Sequence, residues 1–457
     1  MSLLNSIAAQ YLHPPSLPTL LFSDSEPVLH EVAQYPLSAI LHSQSLENLT
    51  LSQHHQQVIF DHALSQIDFL VLLNAATKLL PLQGKLVVID VMKSKPPPEP
   101  KQVIVTPYLI AQARRSGFEL IAQKNDENVT GLEFQFQRHS RWTVLPVTAQ
   151  YKLSMQTLFQ QVFGSAMSDA MWDWKYGQQR GMAIGVWQQQ ELVAHYGGMQ
   201  RRLSYFGTEQ LGIQIGDVMV LPTERGRLTK HGAFFLSAST FAERHVGYAS
   251  PYLIPYGFPN ARHLKVAERL DIYAKVDDVV DIKWDIAQAA KQSPWYQIKA
   301  IQKPQYLKTI VDTLWHQMQC ELKQQILLTR DWDYIDYRYN QRPDKAYTFL
   351  VVYNVLRQPV GLVIIAIEPD MCRFMDYIGC TRHLPRVMAK VCDYLQQQQI
   401  EKLSGWFSAA IAKYFIQAGG GVTATEIVLP TIIWSQGIDV KQIKQRWWLT
   451  TGDTDFL

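Results

Sequence analysis

Cysteine is scarce in this chain. Its 457 residues carry four, Cys320, Cys372, Cys380 and Cys392, and no two form a C-x-x-C pair. The spacing therefore offers no zinc-ribbon or finger framework. Cys380 and His383 have a ligand-like separation, but one such pair is at most half a zinc site, and no metal is expected. Four reduced, mostly buried thiols fit a reducing cytoplasm. Net charge is equally sparse: 43 basic against 40 acidic residues leave +3. A balance so even supplies no general field for nucleic acid or anionic lipid, so neither is expected as a partner. Long apolar runs are absent too. Val360–Ile367 is among the longest and is far too short to cross a bilayer. The opening MSLLNSIAAQYLHPP lacks the basic start and continuous apolar stretch of a signal peptide.

What is present is the composition of a globular protein, 47% hydrophobic, 11% aromatic and 18% charged. The length suits roughly three domains of about 150 residues. We expect blocks at 1–147, 148–302 and 303–457.

In the first block, VIFDHAL reads as a strand and NAATKLLPLQG as a helix running to a glycine. KLVVIDV then reads as a strand, whose β-branched run Leu86–Ile89 suits burial on both faces. Three consecutive prolines in KSKPPPEP exclude helix and sheet interior. A helix is expected around Tyr108–Arg115, followed by GFELIAQ and LEFQFQR as an antiparallel pair. His54, His55 and His62 read as solvated or core histidines.

This order resembles the second half of a class I methyltransferase: strand, helix ending near a glycine, strand ending in an acid, and a late Gly-Phe. The family holds S-adenosylmethionine on an early glycine-rich turn. LPTLLFSDSEP stands in that place and contains no glycine. The resemblance therefore implies a degenerate Rossmann-like domain that does not bind the cofactor.

An internal echo links the other two blocks. Trp172-Asp173-Trp174-Lys175-Tyr176 is similar in type to Ile335-Asp336-Tyr337-Arg338-Tyr339, and strand-like runs follow each. So long a period points to duplicated domains. The WDWKY segment reads as a helix. Asp173, Trp174 and Tyr176 are candidates for holding a cationic amine, with core packing as the alternative for the tryptophans.

Between Ile215 and Tyr273 the pattern reads as a strand Asp217–Leu221, a Pro-Thr-Glu-Arg-Gly turn and a helix Phe234–His245. A strand Tyr252–Tyr256 and a second helix from Asn260 follow. This resembles the heart of the GNAT acyltransferase superfamily. There a strand ending in Val-x-Pro enters an Arg/Gln-x-x-Gly-x-Gly/Ala loop and then a helix, whose free N–H groups cradle the CoA pyrophosphate. The resemblance implies acetyl-CoA, or another acyl-CoA, as cosubstrate. The donor-binding set is then Met219, Val220, Leu221, Arg225, Gly226, Arg227, Lys230, Gly232 and Asn260. Leu228 and Lys230 stand where the family has glycines, and Ala267 where it often has an acid Tyr. Asp217 and Glu224 are base candidates, and Tyr256 is a candidate acid.

The third block repeats the order with FMDYIG, HLPRVMAKVCDYLQQQ, KLSGWFS and AAIAKYF but has no Arg-x-x-Gly-x-Gly loop, so it reads as non-catalytic. RWWLTTGDTDFL is expected to dock as a strand, and Asp453 and Asp455 are too few for a metal. The expected class is thus α/β: a degenerate Rossmann-like domain, then two GNAT-like domains. The expected activity is N-acyl transfer to a small amine or amino sugar. The alternative is a non-catalytic binding or scaffold protein with decayed sites.

Overall fold

The structure is a computed structural model, and it describes residues 19–23, 39–41, 56–61, 68–90, 106–126, 129–225, 229–248, 250–289, 295–301, 304–368 and 371–457. By compactness the chain divides into two units, each assembled from separate stretches. One comprises Met1–Gly164, Ala183–Tyr196 and Val218–Pro251, the other Ser165–Met182, Gly197–Asp217 and Tyr252–Leu457.

The first unit begins with six strands: β1 (Thr19–Ser23), β2 (Ala39–Leu41), β3 (Gln57–Asp61), β4 (Lys85–Asp90), β5 (Phe118–Asp126) and β6 (Val129–Phe136). Their order is β2-β1-β3-β4-β6-β5. The first four are parallel, and β6 runs antiparallel between β4 and β5. The buried run Leu86–Ile89 lies within β4, as its β-branched character implies. Helix α1 (Phe69–Leu79) joins β3 to β4, and Asp68 caps it by accepting from the Leu70 N–H at 2.9 Å. Helix α2 (Thr106–Arg115) leads into the antiparallel pair expected of GFELIAQ and LEFQFQR. Gly117 makes that turn at φ +96, where an added Cβ would lie 1.9 Å from the Arg138 carbonyl. KSKPPPEP, His54, His55 and His62 lie outside the described residues.

Strand β7 (Thr143–Pro146) pairs antiparallel with β8 (Gly181–Gln188). Between them come α3 (Lys152–Phe163) and α4 (Asp169–Tyr176), the latter in the second unit. Two long strands follow, β9 (Glu191–Tyr205) and β10 (Thr208–Val220), and then α5 (Ala233–His245). Within the first unit, α2 grips α5. Arg115 donates to both oxygens of the buried Glu243 carboxylate and to the Thr240 hydroxyl at 3.1 Å, and Gln112 donates to Glu243 at 3.2 Å.

In the second unit β11 (Ile254–Tyr256) lies parallel to β10 over Gly212–Gln214, and α6 (Ala261–Arg269) follows. The next elements are β12 (Tyr273–Asp285), β13 (Tyr296–Ile301), α7 (Lys308–Glu321), β14 (Ile326–Leu328) and the short α8 (Trp332–Ile335), which runs into a π-turn at Asp336–Asn340. Then come β15 (Thr348–Asn354), β16 (Pro359–Ile367), β17 (Cys372–Ile378), α9 (Leu384–Gln397), β18 (Lys402–Ser408), α10 (Ala412–Gln417), β19 (Gly421–Ile432) and β20 (Trp447–Trp448). A seven-stranded sheet has the order β13-β15-β16-β17-β18-β12-β19 and is antiparallel except where β17 meets β18. Trp284, Phe374, Phe407 and Phe415 pack together in its core.

Several boundaries differ from the sequence expectation. The strand expected at Asp217–Leu221 is the end of the thirteen-residue β10, so Asp217 lies inside a strand. The polar Gln214–Gly216 before it carries no periodic signal. The terminal segment forms a strand only at Trp447–Trp448, parallel to β14, and then turns through a 3-10 helix at Thr451–Asp453 closed by a capping box. Among the described residues, three cysteines are buried, Cys320 is exposed and all four are free. No helix among them is long and apolar enough to cross a membrane, and no cluster of His, Cys, Asp or Glu could hold a metal ion.

Candidate active site

In the first unit, the segment that resembles an acyl-CoA loop starts at the end of β10. Met219 is buried and Leu221 nearly so. The Leu221 N–H donates to the Val193 carbonyl at 2.9 Å, while the Val220 carbonyl accepts from Arg225 Nε at 2.9 Å. Two backbone groups of the segment are thus engaged, and Arg225 is an exposed side chain tied to the strand end. A single 3-10 turn, Pro222–Glu224, follows. Gly226 and Arg227 lie outside the described residues. Lys230 and His231 are exposed.

Gly232 is the N-cap of α5. It has no side chain to accept from the first-turn N–H groups, where Ser, Thr, Asp or Asn would. The positive end of a thirteen-residue helix therefore sits beside Lys230 and His231 with no capping side chain. This suits an anion chemically, since N–H donors, helix dipole and cationic side chains act in one direction. Glu224 is not a free base. Its carboxylate accepts from Arg141 Nη2 at 2.7 and 2.9 Å.

In the second unit, two of the sequence candidates, Asp217 and Tyr176, fall in a buried polar network. Asp217 accepts from Lys175 Nζ at 2.7 Å and from the Tyr176 hydroxyl at 2.6 Å. Lys175 also meets Asp455 Oδ2 at 2.6 Å. Asp455 Oδ1 accepts from Gln214 Nε2 at 2.8 Å, and Gln214 Oε1 from Arg201 at 2.8 Å. Burial opposes the Lys175 charge, yet Asp217 and Asp455 together raise its pKa above the usual lysine value. The Asp455 carboxyl, though buried, is held below the carboxylate range by Lys175. Burial, with Asp217, drives the Tyr176 phenol well above its ordinary value. Asp217, a base candidate from sequence, is thus an ion-pair partner of Lys175.

Tyr256 is buried in the second unit, its hydroxyl 3.4 Å from the Asp453 carbonyl and its ring against Phe258 and Trp447. Burial keeps its phenol protonated. Asn260 caps α6, accepting from the His263 N–H at 2.9 Å, which is the structural role its type favours. Asp173 is exposed on α4. Trp174 is buried and stacks on Tyr337 at 5.2 Å, so its role is packing.

Residues that sequence reasoning missed also stand out. Arg330, wholly buried, joins Asp376 at 2.8 Å and Asp453 at 2.7 Å. Burial pushes the Asp453 carboxyl up to about 6 despite Arg330. Arg330 and Arg201 gave no motif signal, because their partners are distant in sequence.

Residues 144–250 match the family model of the acetyltransferase (GNAT) domain. That segment is thus similar to a GNAT acetyltransferase domain. A conserved protein from Enterococcus faecalis V583, described as a probable N-acyltransferase, is similar in fold. It has 13% identity and a TM-score of 0.51, over 64% of this chain and 72% of that one. A GCN5-related N-acetyltransferase from Anabaena variabilis ATCC 29413 has 14% identity and a TM-score of 0.49, over 65% and 73%. None of the curated proteins compared with the chain matches it.

Proposed function

We propose that the protein is an N-acyltransferase that takes an acyl-CoA, most simply acetyl-CoA, and acylates a small amine or amino sugar. The observation that carries this is the strand–turn–helix run from β10 to α5. It lies inside the matched segment and ends in a helix whose glycine cap leaves the first turn without a side-chain acceptor. Arg225, Lys230 and His231 add positive or potentially positive charge there, supporting phosphate recognition in place of the missing family glycines. The Met219–Leu221 strand end would take the pantetheine arm. The chain's part in the chemistry is mainly positioning: orienting the thioester carbonyl, admitting a neutral amine and excluding water. Four free thiols support a cytoplasmic location.

For the rest of the chain we propose a tandem arrangement. The first block is a methyltransferase-like domain that has lost its cofactor turn. Its support is the order β3, α1, Gly84, β4 ending in Asp90, then Gly117-Phe118, on a parallel sheet. The last block is a second, non-catalytic GNAT-like copy. Calorimetry of the full chain with acetyl-CoA, CoA and S-adenosylmethionine tests the whole reading. Acetyl-CoA and CoA should bind, and S-adenosylmethionine should not. Silence toward acetyl-CoA at millimolar concentration would leave the scaffold alternative in its place.

A further inference from the structure

Within the second unit, the seven-stranded sheet ends at β13, which among the described residues pairs with β15 alone. The last paired residues at one end are Tyr296 and Asn354, so Trp295 and Val355 stand one step beyond them on adjacent strands. Leu356 follows in the turn from β15 to β16. These three side chains are 67%, 59% and 73% exposed. Single apolar residues on a surface are ordinary, whereas several together at one corner mark a contact surface. The turn itself is locked. Asn354 Oδ1 accepts from the Leu356 and Gln358 N–H groups, both at 3.0 Å, and the Arg357 N–H donates to the Asn354 carbonyl at 2.9 Å. The tip therefore presents apolar side chains on a turn whose backbone donors at these three positions are already engaged.

Cations surround this corner. Arg357 lies in the turn, Lys299 Nζ stands 5.7 Å from the centre of the Tyr353 ring, and the Arg386 guanidinium on α9 stands 5.8 Å from that of Tyr296. Tyr296 shares a face of the sheet with its partner Asn354, and Tyr353 takes the opposite face. Lys299 and Arg386 thus flank the corner from both sides. All three cations are exposed, and among the described residues none of them pairs with a carboxylate. A second copy of the chain is a poor occupant, because self-pairing about a two-fold axis would set these like charges against one another. An anionic lipid surface meets both features at once. Trp favours the headgroup level, Val and Leu the apolar layer beneath it, and Lys and Arg the anionic groups above.

We propose that this corner of the second unit docks end-on to an anionic membrane surface. Trp295, Val355 and Leu356 enter the interface, and Lys299, Arg357 and Arg386 hold the headgroups. The attraction is local, since the whole chain carries only +3.

The test is co-sedimentation of the full chain with vesicles of phosphatidylcholine alone and of phosphatidylcholine mixed with phosphatidylserine. At low salt the chain should partition at least roughly tenfold more strongly onto the anionic vesicles, and added salt should release it. Val355→Ser with Leu356→Ser removes the apolar tip, and Lys299→Gln with Arg357→Gln and Arg386→Gln removes the charge. Each set should weaken partition at least roughly tenfold. All five positions are exposed, so both variants should melt with the wild type. If the serine pair melts early, Trp295→Ser carries the apolar arm. Equal sedimentation with both kinds of vesicle, or with neither, overturns the proposal. So do folded variants that sediment as the wild type does. Sedimentation velocity without vesicles reads the other occupant: a dimer that both variant sets dissolve would assign the corner to a second copy and overturn the membrane reading.

Discussion

Trp174 and Tyr337 make the same contact to each other in both directions. The Trp174 indole N–H donates to the Tyr337 carbonyl at 3.0 Å, and the Tyr337 hydroxyl donates to the Trp174 carbonyl at 2.9 Å. Their rings stack at 5.2 Å and 16°. They are 163 positions apart, the same offset that separates Asp173 from Asp336 in the sequence echo. A reciprocal contact at that offset is what two copies related by a two-fold axis would produce.

If the two segments descend from one ancestor, their backbones should superpose with Asp173 on Asp336. The pair should also be energetically coupled. Trp174→Leu and Tyr337→Leu each remove one ring of the stack. A double-mutant cycle by chemical denaturation should show a coupling of roughly 0.5–1.5 kcal/mol, the scale of stacked aromatics. Strict additivity would argue that the contact is incidental.

Arg330 lies between Asp376 and Asp453 with no exposure, and Asp376 also accepts from the Tyr339 hydroxyl at 3.1 Å. Replacing it with Met keeps the volume but leaves two buried carboxylates without their cation. Breaking such a pair from one side costs about 3–5 kcal/mol. Arg330→Met should therefore lower the denaturation midpoint severely, and Arg330→Lys, which cannot reproduce the fork, should recover only part of the loss. A near-neutral Met variant would show that the carboxylates can be protonated or rehydrated cheaply.

Much of the fold was legible because its signals are local. The β-branched run Leu86–Ile89, the prospective cap Asn260 and the apolar pattern of α5 each declare an element within a few residues. What was not legible depends on distant partners. Asp217 looked like a free acid at a strand start, because nothing near it in sequence shows that Lys175 and Tyr176 will enclose it. The place of β12 between β18 and β19 is likewise a long-range pairing with no periodic signature. Asp453 and Asp455 read as too few for a metal, and nothing near them in sequence shows that each meets a cation from far upstream.

His245 gives a pH dependence with a definite sign. It ends α5 and packs on Phe241 at 4.9 Å. Burial, with Arg244 beside it, lowers its pKa to about 3, overriding the attraction a helix C-terminus has for a cation. The unfolded chain protonates this imidazole near 6.5, whereas the folded chain resists until about 3. Its contribution to stability is thus fully present above the unfolded value and is lost as pH falls toward the folded one. The slope is at most about 1.4 kcal/mol per pH unit. Denaturation midpoints of wild type and His245→Gln, compared between pH 7 and pH 4, should converge as pH falls. Parallel curves would show that His245 does not titrate in this way.

The loop ahead of α5 offers the most direct test of acyl-donor recognition. Arg225 is exposed and tied at Nε to the Val220 carbonyl. Arg227 lies two positions further on in the sequence. A charge-assisted contact to phosphate is worth about 1.5–3 kcal/mol, and about 1.4 kcal/mol is a factor of ten in affinity. Replacing both arginines with Ala should therefore weaken acetyl-CoA binding at least roughly tenfold. The fold should survive, because surface substitutions such as that of Arg225 contribute little to stability. Circular dichroism and thermal melting of the variant check that point. The loss should shrink at high salt, because salt screens exposed charge. A double variant that binds as wild type does would place the phosphates elsewhere. One that loses binding and fold together would mean that the arginines hold the loop and do not read the ligand.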